Sequence, residues 1–262
     1  MLSDNRKKKI IYFSDELNDD FADMGIKTKP LRSNYRFIHE SIPWKTASFL
    51  LYRVVGQPIV FVFDHLISQR FYNKEVIRKV NGSGAYVYAN HTNILLDALL
   101  PSMLRYKGRS YIVVGPDTMS VPGLNNIVEM LGAIPIGTTL AQKKEMIDCV
   151  KKRIEQKNLV IIYPEAHIWP YYNDIRPFID DSFAYPAHTN TPVFAVTNCY
   201  QKRKIGKLPK TLTFVDGPFY PDESLPTAER RKKLRDQCYE AMKKRAEENS
   251  DYEYIEYRKK AN

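Results

Sequence analysis

From residue 85 onward, the chain alternates between short apolar runs rich in β-branched residues and longer segments with helical periodicity. The runs predict strands at 85–89, 110–114, 133–136, 159–163, 192–197 and 211–216, and the periodic segments predict helices at 94–106, 121–131, 140–157 and 225–248. Strands that are apolar on both faces are typical of parallel sheets covered by helices. We therefore expect an α/β fold with a mostly parallel or mixed central sheet and helices on both faces.

The chain before this pattern divides into two parts. Residues 1–42 are polar and irregular, and predict an N-terminal arm that is either disordered or packed on the domain. Residues 43–78 begin with an aromatic and apolar stretch, which Gly56 and Pro58 are expected to break into a hairpin of two short helices. Charged residues make this stretch a poor membrane span, so the hairpin either docks on a membrane surface or packs against the core. The α/β domain, ending in a basic helix, is expected at 79–262.

The basic composition indicates that the protein binds an anionic partner. The 262 residues carry a formal net charge of +10, which favours an anionic membrane surface, a nucleic acid or a phosphorylated substrate. We expect no nucleic acid partner, because no recognition motif accompanies the charge. The three cysteines lack metal-ligand spacing and no apolar signal segment follows the first residues, so we expect a cytoplasmic protein.

A polar turn follows the first of these predicted strands. The apolar run stops at Asn90, His91 follows, and Asn93 is a good N-cap for a helix that carries Asp97. A carboxylate that accepts from one imidazole nitrogen leaves the other nitrogen able to take a proton from a hydroxyl. No serine or cysteine adjoins the pair, so the hydroxyl would come from a substrate. The alternative is a histidine that caps the helix and an aspartate on its solvated face.

The predicted strand 159–163 also runs into polar residues at its carboxyl end. Glu165 and His167 follow Pro164, and in a parallel sheet they lie at the same edge as His91. Arg176, further along, is a good anion binder. We expect Glu165 either to bind a hydroxyl of an acceptor or to tie the loop, and His167 is better explained as a packed polar residue.

These two stretches resemble the glycerolipid acyltransferases, the type that acylates lysophosphatidic acid. The resemblance rests on Asn90, His91 and Asp97 for the first block and on Tyr163-Pro164-Glu165 for the third. The apolar segments 131–136 and 191–196 are similar to the second and fourth blocks. The resemblance implies transfer of a fatty acyl group from a thioester, on coenzyme A or acyl carrier protein, to a lipid or polyol hydroxyl.

The residues described above, taken together with this resemblance, predict a role for each position of the site. His91 is the general base, Asp97 orients it, and backbone N–H groups near 93–95 stabilise the oxyanion. The substrate-binding positions are expected to be Asn93, Thr138, Thr139, Glu165, His167 and Arg176. Neither a bound cofactor nor a metal is expected, and the protein would sit peripherally at the inner face of the membrane.

The sequence departs from the family pattern in two places, and the second concerns the acceptor. Five residues separate His91 from Asp97, where the family usually has four. The arginines of the second and third blocks are absent, since Gly137-Thr138-Thr139 and Ala166-His167-Ile168 stand there. In the family those arginines are associated with the acceptor phosphate, so the acceptor's identity stays open.

Two other functions are compatible with these residues. The first is a metal-dependent hydrolase with His91, Asp97, Glu165 and His167 as ligands, although their spacing matches no common zinc motif. The second is a non-catalytic relative that binds a membrane surface, which the missing arginines favour.

Overall fold

The computed structural model describes residues 8–22, 28–66, 70–80, 82–104, 107–204, 206 and 208–260. Parts of the predicted arm (1–7 and 23–27), of the hairpin (67–69) and of the helix 94–106 (105–106) lie outside these residues. The strands are β1 (Lys9–Phe13), β2 (Arg70–Tyr72), β3 (Ala85–Ala89), β4 (Ser110–Val114), β5 (Ala133–Pro135), β6 (Leu159–Ile162), β7 (Val193–Gln201), β8 (Lys210–Phe219) and β9 (Ile255–Lys259). The α-helices are α1 (Ile42–Phe49), α2 (Gln57–Leu66), α3 (Ile94–Met103), α4 (Asn125–Leu131), α5 (Leu140–Glu155), α6 (Ala184–Thr189) and α7 (Thr227–Asn249).

The main sheet has seven strands in the order β2-β8-β7-β3-β6-β4-β5. The five strands from β7 to β5 are parallel to one another, whereas β8 runs antiparallel to β7 and β2 runs parallel to β8. The predicted mostly parallel or mixed sheet is therefore confirmed. Its central strand β3 is buried along its whole length, as its apolar sequence predicts.

Helices cover both faces of this sheet. On one face, Tyr86 and Tyr88 of β3 belong to a core cluster that includes apolar residues of α5, α6 and α7. On the other face, Val87 belongs to a cluster that includes Leu100 of α3. The alternation follows from strand geometry, because successive side chains point to opposite faces.

The prediction that Gly56 and Pro58 break this stretch into a helical hairpin is wrong. Helix α1, a π-helical segment (Leu50–Gly56) and α2 follow one another without a turn, so 42–66 is one continuous helical run. Proline removes only its own backbone donor, and its ring collides mainly with the carbonyl four residues before it. The wider π-helical turn before Pro58 makes room for that ring, so the helix continues instead of ending.

This run is also more apolar along its length than the sequence argument allowed. Ile42–Phe63 spans 22 residues, its most apolar 18-residue window has a mean hydropathy of 1.5, and by length and composition alone the helix is long and apolar enough to cross a membrane. Only 17% of its most apolar window is buried. One side is nevertheless attached to the domain: the Tyr52 hydroxyl accepts from the Ser110 amide at 3.2 Å, and Arg53 donates to the carbonyl of Gly108 at 3.1 Å.

The described part of the N-terminal arm packs on the domain. Strand β1 pairs in parallel with β9 to form a separate two-stranded sheet. The Phe21 amide donates to the Ile168 carbonyl at 3.2 Å, and the Trp169 indole donates to the Asp19 carbonyl at 2.7 Å. Both contacts hold the loop that follows β6.

The basic C-terminal helix α7 is partly neutralised by the domain on which it packs. Arg231 pairs with Asp180, Lys243 with Asp174 and Arg245 with Asp216, at 2.7 to 2.8 Å. The helix is therefore held by ion pairs along much of its length, and its charge is not all offered to a partner.

We predict that Gly84→Ala lowers the free energy of unfolding by about 3 kcal/mol, since a Cβ there would lie 2.3 Å from the Ile154 carbonyl oxygen. Gly123→Ala is the control: its Cβ meets nothing within 4 Å, and only its φ of +77° opposes the change, at about 1 kcal/mol. Urea unfolding of both variants measures the difference. Equal midpoints for the two would contradict the tight packing of α5 against the start of β3.

Candidate active site

The polar turn after β3 lies at the carboxyl edge of the sheet. The Asn90 amide still donates to Val196 of β7 at 3.4 Å, and the chain then leaves the sheet. Asn93 is the N-cap of α3, because its side chain accepts from the Leu96 amide at 3.1 Å. The turn therefore places His91 between a strand end and a helix start, as the sequence predicts.

His91 and Asp97 are in direct contact. The distance from His91 Nδ1 to Asp97 Oδ2 is 2.8 Å, and the Asn93 amide donates to the same oxygen at 3.0 Å. The His91 ring stacks on Tyr163, with 4.3 Å between ring centroids. Among the described residues, His91 Nε2 has no hydrogen-bond partner, and 17% of the His91 side chain is exposed. The ring is thus fixed on one side and reachable on the other.

The Asp97 carboxylate is almost fully buried, with 2% of the residue exposed. Burial raises the pKa of Asp97, and the hydrogen bonds from His91 and from the Asn93 and Thr92 amides act in the opposite direction. The surrounding N–H donors are therefore what favours the charged carboxylate at this position.

Glu165 ties the second loop to the turn that carries His91. Its Oε2 accepts from the His91 backbone amide at 2.9 Å, and its Oε1 accepts from the Arg176 amide at 3.0 Å. Glu165 is 3% exposed, and burial raises its pKa while the Arg176 guanidinium lowers it. The position matches the loop-tying alternative for this residue.

Arg176 is buried and its guanidinium already bonds to groups of the protein, whereas the sequence predicted a residue that binds an anionic ligand. It is 1% exposed, and its Nη2 lies 3.5 Å from Glu165 Oε2. The guanidinium also donates to the backbone carbonyls of Glu16, at 3.0 Å, and of His167. An acceptor phosphate would have to displace these bonds, so the geometry explains Arg176 as a brace of the loop.

Three further residues that were predicted to bind substrate contact other parts of the protein. Thr139 caps α5 by accepting from the Gln142 amide at 3.2 Å, and the Thr138 hydroxyl donates to the Gln142 side chain at 2.8 Å. Both follow β5, which two strands separate from β3, or roughly 14 Å at the usual strand spacing. His167 Nδ1 lies 3.5 Å from Asp20 of the arm.

The four ligands of the alternative metal site do not converge. Asp97 faces His91 Nδ1, Glu165 faces backbone amides and Arg176, and His167 faces Asp20. Within the part of the chain that the structure describes, no group of three or more His, Cys, Asp or Glu side chains is placed to hold a metal ion.

Sequence reasoning missed two buried asparagines, Asn90 and Asn198, whose hydrogen bonds join the end of β3 to β7. The Asn198 amide N–H donates to Asn90 Oδ1 at 2.8 Å, and Asn90 Nδ2 donates to the Asn198 carbonyl at 3.0 Å. The Asn198 side chain also donates to Asp97 Oδ1 at 3.4 Å. The only signal was a polar residue just beyond an apolar run, which is too common a pattern to mark a site.

A cavity of about 580 Å³ lies away from this site. It opens between α5 and α6, and its floor includes Tyr86 near the start of β3 and Thr191 just before β7. It is therefore close to the amino ends of the parallel strands, opposite the edge that carries His91.

The fold and the histidine–aspartate pair define an α/β protein with its polar site at the carboxyl edge of a parallel sheet. The chain belongs to the acyltransferase family, whose model matches residues 68–198, half of its length. That match contains His91, Asp97, Glu165 and Arg176. The predicted resemblance to acyltransferases is confirmed.

A solved structure shares the fold. The crystal structure of the 1-acyl-sn-glycerophosphate (LPA) acyltransferase PlsC from Thermotoga maritima matches with a TM-score of 0.55. The match covers 81% of this chain and 84% of that chain, at 17% sequence identity. No curated protein sequence matches the chain significantly.

We predict that Arg176→Met costs about 3 to 5 kcal/mol of stability near neutral pH, because it leaves the Glu165 carboxylate buried without its guanidinium. The double variant Glu165→Gln/Arg176→Met removes both charges, so it should recover part of this loss. Urea unfolding of the two variants tests the brace, and a double variant no more stable than Arg176→Met would contradict it.

The loss of stability in Arg176→Met should also depend on pH. Burial already raises the pKa of Glu165, and loss of Arg176 raises it further. A folded-state pKa above the unfolded value means that the folded protein is favoured by protonation, so stability is lost as pH rises through the folded pKa. The gap in unfolding free energy between wild type and Arg176→Met should therefore shrink as pH falls toward 5.

Proposed function

We propose that this acyltransferase moves a fatty acyl group from an acyl thioester to a hydroxyl of a (lyso)phospholipid or glycerol-phosphate-like acceptor. The observation that supports this proposal best is the 2.8 Å contact between His91 Nδ1 and the buried Asp97, with Nε2 free of partners among the described residues. An imidazole held in this way is suited to accept a proton from a visiting alcohol.

The proposed reaction needs no group on the enzyme to be acylated. His91 Nε2 takes the proton of the acceptor hydroxyl as its oxygen attacks the carbonyl carbon of the thioester. The tetrahedral intermediate collapses by breaking the carbon–sulfur bond, and the imidazolium returns its proton to the leaving thiolate. Asp97 stabilises the imidazolium and keeps Nδ1 protonated. The products are an ester and a free thiol.

The start of α3 supplies the proposed oxyanion donors. The Asn93 amide, one of those predicted, is already bonded to Asp97 Oδ2 at 3.0 Å. The amides of Ile94 and Leu95 have no acceptor among the described residues, and the helix N-terminus favours negative charge. We assign the developing oxyanion to these two amides.

The acceptor class is proposed from the activity of a similar protein and from the residues that stand at the family's arginine positions. The similar protein from Thermotoga maritima is a 1-acyl-sn-glycerophosphate acyltransferase. This chain lacks the family's two arginines at the corresponding places, and Arg176 is occupied by Glu165. Thr138 and Thr139, which follow β5 roughly 14 Å from β3 at the usual strand spacing, are the proposed polar contacts for the part of the acceptor that lies away from the reacting hydroxyl. The donor is an acyl thioester of coenzyme A or acyl carrier protein.

We further propose that the helical run 42–66 contacts a membrane from the cytoplasmic side. Its exposed apolar residues include Phe49, Leu50, Val54, Val55, Ile59 and Val62. Ile94 and Leu95 of α3 are exposed apolar residues too, and α2 packs on α3. Because Arg53 and Tyr52 bind the domain, the helix would lie at the surface with the domain attached, in a peripheral arrangement.

We predict that His91→Ala lowers the turnover number by at least about 10³-fold, because the reaction loses its proton acceptor. Asp97→Asn should lower it by about 10³-fold, since an amide neither stabilises an imidazolium nor enforces the tautomer. Purified protein is incubated with labelled acyl thioester and lysophospholipid or glycerol phosphate acceptors, and the ester product is quantified. Asp148→Asn, an exposed acid on α5, is the control and should match wild type.

The outcomes separate the proposed function from its rivals. A His91→Ala variant with near wild-type turnover would remove His91 from the mechanism. Wild-type protein that binds liposomes but releases no thiol with any acceptor would support the non-catalytic, membrane-binding alternative. Thermal unfolding of each variant shows whether a lost activity reflects a lost fold.

We predict that Val54→Ser/Val55→Ser/Ile59→Ser reduces co-sedimentation with liposomes containing anionic phospholipid by about 10-fold or more, because it removes exposed apolar area from the helix. Ile179→Ser, which changes an apolar residue of similar exposure away from the helix, is the control. Equal binding of both variants would place the membrane contact elsewhere.

A further inference from the structure

A line of buried polar side chains continues behind the Asp97 carboxylate. Asn198 of β7 is 3% exposed and donates through Nδ2 to Asp97 Oδ1 at 3.4 Å. Thr213 of β8 is fully buried, and its hydroxyl donates to Asn198 Oδ1 at 2.7 Å. Thr213 lies beyond the 68–198 family match, so the line connects the site to a strand that the family model does not cover.

The sheet register explains why these two side chains meet. Asn198 and Thr213 are directly opposite one another in the antiparallel pair β7 and β8, so their side chains share one face of the sheet. The ionised Asp97 carboxylate can only accept, so the Asn198 amide turns its N–H₂ toward Asp97 and its Oδ1 toward Thr213, whose hydroxyl donates to it and holds this orientation. The reverse amide orientation would place two oxygens against each other.

Hydrogen-bond donors hold both oxygens of the Asp97 carboxylate. Oδ2 accepts from His91 Nδ1 and the Asn93 amide, and Oδ1 accepts from Asn198. A carboxylate held at only one oxygen could rotate about its bond to Cβ and lose its alignment with the imidazole. Since burial opposes its negative charge, each donor also favours the ionised form.

We propose that Asn198 and Thr213 are positioning residues for acyl transfer, acting through Asp97 on the general base His91. This inference rests on the proposed function. Neither residue touches a reacting atom, and their effect is to hold Asp97 in the orientation and charge state that His91 needs.

The test compares Asn198→Leu, Thr213→Val and Thr213→Ser with a matched control. Asn198→Leu removes the side-chain donor but keeps the backbone atoms that bond to Asn90. Thr197→Val is the control: Thr197 is equally buried, adjacent on β7 and on the opposite face, and its hydroxyl has no partner in the described part of the chain. Turnover number, Michaelis constants and their pH dependence are measured for each variant.

We expect Asn198→Leu to lower the turnover number by about 10- to 100-fold and Thr213→Val by about 3- to 10-fold, with little change in the Michaelis constants. Thr213→Ser keeps the hydroxyl and should restore most of the activity lost in Thr213→Val. Thr197→Val should match wild type.

The pH profile distinguishes positioning from a general loss of structure. The titratable groups that face Asp97 are His91 from the turn, Tyr163 after β6 and Tyr200 of β7. Burial raises the pKa of both tyrosines, so they stay neutral through the working range. Loss of the Asn198 donor makes the carboxylate easier to protonate, so the acid limb of the turnover profile should move to higher pH in Asn198→Leu and Thr213→Val.

Each failure has its own signature. If His91→Ala abolishes transfer while Asn198→Leu and Thr213→Val keep wild-type turnover and acid limb, the positioning role is overturned and the proposed function stands. If activity falls with no shift of the acid limb and Thr213→Ser does not rescue it, the role is structural only and the inference also fails. If His91→Ala retains transfer, the proposed function fails first.

Discussion

The structure of this acyltransferase depends on a carboxylate kept away from water at the carboxyl edge of its sheet. Asp97 is 2% exposed, and such a charge is stable only where N–H donors replace the water it has lost. The turn 90–93 and the start of α3 supply those donors from backbone and imidazole. The same carboxylate that needs His91 as a donor also holds that ring in place, so the stability of the turn and the alignment of the site have one physical origin.

A second buried carboxylate, Glu165, extends this principle to the neighbouring loop. It bonds to the His91 amide and is neutralised by Arg176, whose guanidinium reaches back to the arm at Glu16. The family pattern places an arginine directly after the glutamate block, whereas here Ala166-His167-Ile168 follows Glu165. Here the Arg176 guanidinium, from further along the chain, braces the loop.

Much of the fold followed from the sequence because apolar runs and periodic helices report burial directly. The strand end at Asn90, the cap at Asn93 and the contact of His91 with Asp97 were predictable, since each depends on residues close in sequence. The break at Gly56 and Pro58 was wrongly predicted, because a π-helical turn absorbs a proline that single-residue rules treat as a stop. Thr213 and the buried state of Arg176 were out of reach, because each depends on a partner brought near only by the folded chain.

The pairing of β1 with β9 has a consequence for the order in which the protein folds during synthesis. Lys9 pairs with Ile255, and the loop that follows Glu165 packs against the two paired strands, with Trp169 stacked on Tyr257 and close to Phe13. During synthesis β1 has no partner until the residues of β9, Ile255–Lys259, have been made. The loop that steadies His91 is thus closed late, so an incomplete chain carries the histidine without the framework that would put it to use.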